Sequence, residues 1–169
     1  MISKKIFNIE DIDLIVLDFD GVLTDNNVYT NNSGEEFVKC SRADGLGFDA
    51  LKRINMKTLI MSTEKDKVVS ARAKKLGVEV FQNVVDKKKS LINYANNNNI
   101  SLKRILYIGN DVNDVAVMKI CGYTACPSDS HDVILNLANY TLSSRGGEGV
   151  IRELIEHAFQ INIFELLYN

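Results

Sequence analysis

The sequence lacks what a membrane, an oxidising compartment or a nucleic acid would ask of it. Nowhere do about 18 uncharged apolar residues follow one another, the length a membrane-crossing helix needs. Residues 1–11, with Lys4 and Lys5, hold no apolar run of signal length, so a cytoplasmic protein is expected. An excess of one charge is missing too: 20 Lys and Arg face 22 Asp and Glu, a net charge of −2. No broad basic field is therefore available to a phosphate backbone, and nucleic acid is not an expected partner. Cysteine is scarce; Cys40, Cys121 and Cys126 are odd in number and form no Cys-x-x-Cys pair, which argues for reduced, structural thiols. No internal repeat and no linker is visible in the 169 residues. One domain is expected, long enough to bury roughly 68 to 70% of its extended-chain surface without disulfide or metal staples.

What is present is an alternation. Residues 12–17 form a nearly continuous, branched apolar run that stops at Asp18, the pattern of a strand buried on both faces of a parallel sheet. It returns at 57–62, 78–82, 104–109 and 122–126. Helical spacing fills the gaps: 66–76 stopping at Gly77, 86–96 before an Asn run, 112–121 after a candidate Asp111 cap, and 148–158 near the end. A parallel α/β fold follows, with helices on both faces of the sheet. One segment breaks the rhythm. Residues 26–30 and 36–41 are strand-like and joined by Asn31, Asn32, Ser33 and Gly34, which predicts a β-hairpin projecting after the first strand.

The chemistry lies at strand ends. Asp18-Phe19-Asp20-Gly21-Val22-Leu23-Thr24 places two carboxylates where a buried strand runs out, the edge at which open parallel sheets bind ligands. A calcium loop is excluded, because it needs Gly at its sixth position, here Leu23, and an oxygen ligand at its fifth, here Val22. A second acidic cluster, Gly109-Asn110-Asp111-Val112-Asn113-Asp114, follows another apolar run. Two acidic strand ends in one sheet, with neither His nor Cys nearby, imply a hard divalent cation, Mg²⁺ rather than zinc. Ser62, Thr63 and Glu64 follow a third strand and put hydroxyls and backbone N–H groups ahead of a helix, a place for phosphate. The run Lys87-Lys88-Lys89 reads by itself as a solvated face, yet such a site still lacks a cation. His131 and His157 stand alone and read as ordinary residues.

Taken in order, Asp-x-Asp-Gly-Val-Leu-Thr, a strand-end Ser, a Lys and Gly-Asn-Asp-x-x-Asp resemble the haloacid dehalogenase superfamily of phosphatases. The resemblance implies a Rossmann-like fold with Asp18 as nucleophile and Asp20 as general acid and base. It implies that Ser62 binds the phosphoryl group and Lys87 neutralises it, and that Asp18, the Asp20 carbonyl and the corner at Asn110 and Asp111 hold Mg²⁺. The spacing from Asp25 to Leu59 leaves room for the hairpin and one helix, and that from Lys87 to Arg104 for one more, so no cap domain fits. Among capless members the chain is similar to phosphatases of 3-deoxy-manno-octulosonate 8-phosphate and of nonulosonate 9-phosphates. It is similar as well to the domain attached to some acylneuraminate cytidylyltransferases. Asp44-Gly45-Leu46-Gly47, Val85-Asp86-Lys87 and Arg145-Gly146-Gly147-Glu148-Gly149 match that subgroup.

The resemblance further implies a homotetramer in which a neighbouring subunit covers each site, with Arg42 and Arg145 as candidate forks for a sugar carboxylate. Gly146 and Gly147, Thr63 and Glu64 complete the substrate set. Two departures stand out. Asn110 occupies a position that is commonly Asp in the subgroup, leaving open whether Asn110 or Asp111 is the metal ligand. Thr63-Glu64-Lys65 replaces the Gly-Arg usual in octulosonate phosphatases, which favours a longer or amino-substituted sugar acid. The expected function is a Mg²⁺-dependent sugar acid phosphatase. The alternative is a weakly catalytic or non-catalytic tetramerisation domain partnered with a cytidylyltransferase.

Overall fold

The computed structural model describes residues 7–169, so Lys4 and Lys5 lie outside the described residues. The chain runs through β1 (Leu14–Leu17), β2 (Tyr29–Thr30), β3 (Glu36–Phe37), α1 (Arg42–Arg53), β4 (Lys57–Met61), α2 (Val68–Leu76), β5 (Glu79–Phe81) and α3 (Lys87–Asn97). It continues through β6 (Ile105–Ile108), α4 (Val115–Met118), β7 (Tyr123–Cys126), α5 (Asp132–Leu137), β8 (Tyr140–Thr141), α6 (Val150–Glu153) and α7 (Ile163–Tyr168).

Six strands form one parallel sheet in the order β5-β4-β1-β6-β7-β8, with β1 in register against both β4 and β6. The strands of β1 and β6 are buried on both faces. Ile15 and Leu17 join one core cluster with Phe48, Leu51 and Ile151, while Leu14 and Val16 join the other with Leu91, Tyr107 and Met118. Each fully buried aliphatic side chain contributes about 1.5–3 kcal/mol. The connection from β1 leads outward to β4 and β5, and the one entering β6 leads to the opposite side. The strand order therefore reverses between β1 and β6, and a crevice opens beyond their carboxyl ends.

Between β1 and β4 the chain makes only the hairpin and α1, and between α3 and β6 only a 3₁₀ turn, Leu102–Arg104, so neither connection carries a cap. The hairpin ladder is shorter than its sequence suggests, two residues per strand, closed at its base by a bridge between Thr24 and Cys40. Its Val28, Tyr29 and Phe37 are exposed, so little burial rewards a longer ladder. Helix α2 starts two residues later than the spacing predicts: Lys67 stands at its N-cap, and Asp66 stays in the preceding turn with its carboxylate accepting from the Val68 N–H. The segment at 112–121 begins as a 3₁₀ turn, Val112–Asp114, since Asp111 and Asp114 cap each other's backbone and tighten the first turn. The segment at 148–158 divides into α6 and a π-helical turn, Leu154–Ala158. The three cysteines form no disulfide, and among the described residues no helix is long and apolar enough to cross a membrane.

Candidate active site

Asp18 follows β1 directly and donates its N–H to the Ile108 carbonyl at 2.9 Å, which pins it across the strand-order reversal. Its carboxylate is nearly buried: Oδ1 accepts from the Phe19 N–H at 2.7 Å and Oδ2 faces the Lys87 ammonium at 2.7 Å. Lys87 Nζ also lies 2.8 Å from Asp114 Oδ1. Two buried carboxylates thus share one cation. Burial and the Asp114 charge push the Asp18 carboxyl up to about 7, against the pull of Lys87.

The Phe19 carbonyl accepts from the N–H groups of Leu23 and Thr24 at 2.8 and 3.2 Å, winding the chain into a tight turn that presents Asp20 beside Asp18. Buried Thr24 organises that turn: its Oγ1 accepts from the Gly21 and Asn26 N–H groups and donates to Asp20 Oδ1 at 3.2 Å. Partial burial raises the Asp20 pKa, the direction a general acid needs. Gly21 has φ +76°, and a Cβ there would collide with the Asn110 amide, so glycine lets the two loops meet.

Lys87 is the first residue of α3, behind the Asp86 cap, and it alone of the lysine run turns inward; Lys88 and Lys89 are exposed. Ser62 directly follows β4 and carries a buried hydroxyl that accepts from the Glu64 N–H at 3.0 Å. Asn110 and Asp111 leave β6, held by their N–H groups donating to Asp114 Oδ2 at 3.0 and 3.5 Å. A crevice of about 190 Å³ brings together Asp18, Asp20, Thr63, Asn110 and Asp111. It also takes in Asn26 and Asn113, which sequence reasoning did not single out; the left-handed Asn26, φ 62°, closes the turn after Thr24.

The other expected substrate residues lie elsewhere. Glu64 is folded onto its own loop, with Oε1 accepting from the Lys65 and Asp66 N–H groups at 2.5 and 2.9 Å, and it does not line the crevice. Arg42 lines a separate depression with Arg72 and Lys75. Arg145 is exposed, 3.5 Å from Asp129. Gly146 and Gly147 support the loop that bears Asp20: the Gly147 N–H donates to the Val22 carbonyl at 3.0 Å, and a Cβ on Gly146 would strike the Gly21 carbonyl.

The donors suit a hard cation. Asn110 Oδ1 is buried without a hydrogen-bond partner beside the anionic cluster. Among the described residues no three His, Cys, Asp or Glu side chains form a metal cage, so the donor set would be the Asp18 carboxylate and the Asp20 carbonyl completed by the Asn110 amide or the Asp111 carboxylate.

A family model described as haloacid dehalogenase-like hydrolase matches residues 24–154. The chain is 31% identical over 148 residues to the 3-deoxy-D-manno-octulosonate 8-phosphate phosphatase of Salmonella typhi, covering 87% of this chain and 79% of that one. It is 31% identical over 150 residues to N-acylneuraminate cytidylyltransferase A of Danio rerio, covering 88% of this chain; the match spans only 35% of that relative's length. The crystal structure of the octulosonate phosphatase from Moraxella catarrhalis, in complex with a magnesium ion, a phosphate ion and its sugar acid, superposes with TM-score 0.84. That match is 28% identical and covers 94% of this chain and 88% of that one.

Proposed function

Because the chain belongs to the haloacid dehalogenase-like hydrolase family, we propose that it is a Mg²⁺-dependent phosphatase of a 2-keto-3-deoxy sugar acid phosphate. The observation that carries this reading is the buried Asp18, Lys87 and Asp114 triad opening onto a crevice that Asp20 also lines. Asp18 attacks phosphorus; the bond to the sugar oxygen breaks, and Asp20 gives its proton to the departing alkoxide. Asp20, now a base, takes a proton from a water that attacks the aspartyl phosphate, and the bond from phosphorus to Asp18 breaks to free inorganic phosphate. Lys87 offsets the phosphoryl charge, and Ser62 binds it through its hydroxyl. Asp18, the Asp20 carbonyl and Asn110 or Asp111 would hold Mg²⁺, whose charge favours an ionised Asp18 and offsets the negative charge of the phosphoryl oxygens.

Between the two sugar acids, what favours the nonulosonate 9-phosphate over the octulosonate 8-phosphate is the sequence Thr63-Glu64-Lys65 in place of Gly-Arg, although Glu64 itself is turned onto its own loop. The exposed Val28, Tyr29 and Phe37 of the hairpin support a homotetramer in which neighbours shield this otherwise open site. Asn110, an amide where a charged ligand would bind Mg²⁺ more tightly, is what favours the second reading, a weakly catalytic assembly domain.

The test is inorganic phosphate release from octulosonate 8-phosphate, nonulosonate 9-phosphates and hexose phosphates, with Mg²⁺ and then with chelator. Chelator-sensitive release from a nonulosonate phosphate is expected. Release from none of them by folded, Mg²⁺-supplied protein overturns the enzymatic reading in favour of the assembly domain.

A further inference from the structure

Strand β6 reads as core from end to end, and Tyr107 is its one side chain with a polar tip. The ring is fully buried in the cluster that holds Leu14, Val16 and Met61. A phenol in such surroundings loses its water partners, and its hydroxyl needs an acceptor within the fold. It has one: the hydroxyl donates to Asp114 Oδ1 at 2.8 Å. That same oxygen takes the Lys87 ammonium at 2.8 Å, and the ammonium reaches on to Asp18 Oδ2 at 2.7 Å. The other oxygen of Asp114 accepts from the Asn110 N–H at 3.0 Å and, more loosely, from Asp111 at 3.5 Å. Asp114 is therefore a fully buried carboxylate with its acceptor sites occupied, and Tyr107 supplies the neutral side-chain donor among them.

We infer that Tyr107 is a positioning residue for phosphoryl transfer, acting through Asp114 on Lys87. By occupying one acceptor direction of Asp114 Oδ1, the hydroxyl limits the hold of that carboxylate on the ammonium, which stays shared with Asp18 and aimed at the transferring group. Without the hydroxyl, Oδ1 keeps Lys87 as its only side-chain donor. The ion pair of Lys87 with Asp114 tightens at the expense of Asp18, because charge-assisted bonds strengthen when fewer donors share the acceptor. The inference rests on the phosphatase reading above.

Tyr107→Phe keeps the ring and removes only the donor. The variant is expected to melt within a few degrees of the wild type, to keep its KM, and to lose about tenfold in kcat, the scale of one hydrogen bond to a charged group. Orthovanadate, which takes the five-coordinate shape of transferring phosphorus, is expected to bind about tenfold more weakly by calorimetry in the presence of Mg²⁺. In an Asp114→Asn background the same substitution is expected to have no further effect on kcat or vanadate affinity. Unchanged kcat and vanadate affinity in Tyr107→Phe overturn the inference and leave the phosphatase reading standing. So does a loss that tracks a lowered Tm, or one of equal size in the Asp114→Asn background. If the wild type releases no phosphate, the phosphatase reading falls and the positioning role in phosphoryl transfer falls with it, whatever the vanadate affinities.

Discussion

The Lys87 ammonium and the Asp18 carboxylate meet at 2.7 Å with both side chains almost wholly out of water. Since Asp114 claims the same ammonium, the buried cluster carries one negative charge more than its cation balances. Burial first, and then that imbalance, raises Asp18, and a divalent cation in the crevice would offset the surplus charge.

Replacing Lys87 by Met leaves Asp18 and Asp114 facing one another with no cation between them. Breaking a buried ion pair from one side costs about 3–5 kcal/mol. Chemical denaturation at pH 8 in chelator is expected to show a loss of that size, and phosphate release is expected to vanish. A variant as stable as the wild type would mean that water already reaches the cluster and screens it.

Asp18→Asn removes the nucleophile and the surplus charge together. Turnover is expected to fall at least about a thousandfold, as for other covalent catalysts deprived of the attacking group. In stability the substitution acts the other way. A carboxyl whose folded pKa is raised to about 7 weakens the fold as pH climbs toward and through that value, so at pH 8 in chelator Asp18→Asn is expected to melt no lower than the wild type. Turnover at the wild-type rate would remove Asp18 from the chemistry.

Asn110→Asp tests which residue completes the cation site. A carboxylate in place of the buried, unpartnered amide oxygen is expected to lower the Mg²⁺ concentration for half-maximal phosphate release on the order of tenfold, and to enlarge the rise in Tm on adding Mg²⁺. In chelator the same variant is expected to melt lower, because it adds a fifth carboxylate to the neighbourhood of Asp18, Asp20, Asp111 and Asp114. If Mg²⁺ dependence is unmoved by Asn110→Asp but weakened by Asp111→Asn, the ligand is Asp111.

Much of this site is visible in the chain because each acid ends an apolar run. Residues 14–17 and 105–108 can only be inner strands, so Asp18, Asn110 and Asp111 must stand at their carboxyl ends, where the strand order makes the crevice. Lys87 is different: composition and spacing do not say which of three lysines turns inward, and only the family resemblance named it; its inward turn follows from its phase on α3 and from the two carboxylates that meet it. Tyr107 is hidden for the opposite reason, since an apolar strand with one tyrosine reads as core and its hydroxyl matters only once Asp114 is in place. Arg42 and Glu64 show the remaining limit. Their charges suggest a substrate, but local geometry sends one to another depression and folds the other onto its own loop. Strand β8, two residues long, carries too little pattern to be read at all.

Asp44 supplies a pH signature distinct from the active site. It sits in the first turn of α1, buried, with Oδ1 accepting from the Ile151 N–H at 2.8 Å at the start of α6 and Oδ2 without a partner. Burial pushes its pKa up to about 6 from an ordinary value of 3.8, in spite of the backbone donors at 151 and 152 and the nearby Arg72. Between those two values the folded chain binds more protons than the unfolded one, so stability falls as pH rises. The contribution is complete below about pH 4, drains away through pH 6 and is flat above. Over that window the fold loses about 3 kcal/mol at this residue. Asp44→Asn keeps an acceptor for the Ile151 N–H and carries no charge to bury. Denaturation curves at pH 4 and pH 7 are expected to show that the wild type loses about 3 kcal/mol relative to Asp44→Asn as pH rises. Parallel pH profiles for the two proteins would mean that the Asp44 carboxylate is solvated by water entering between α1 and α2.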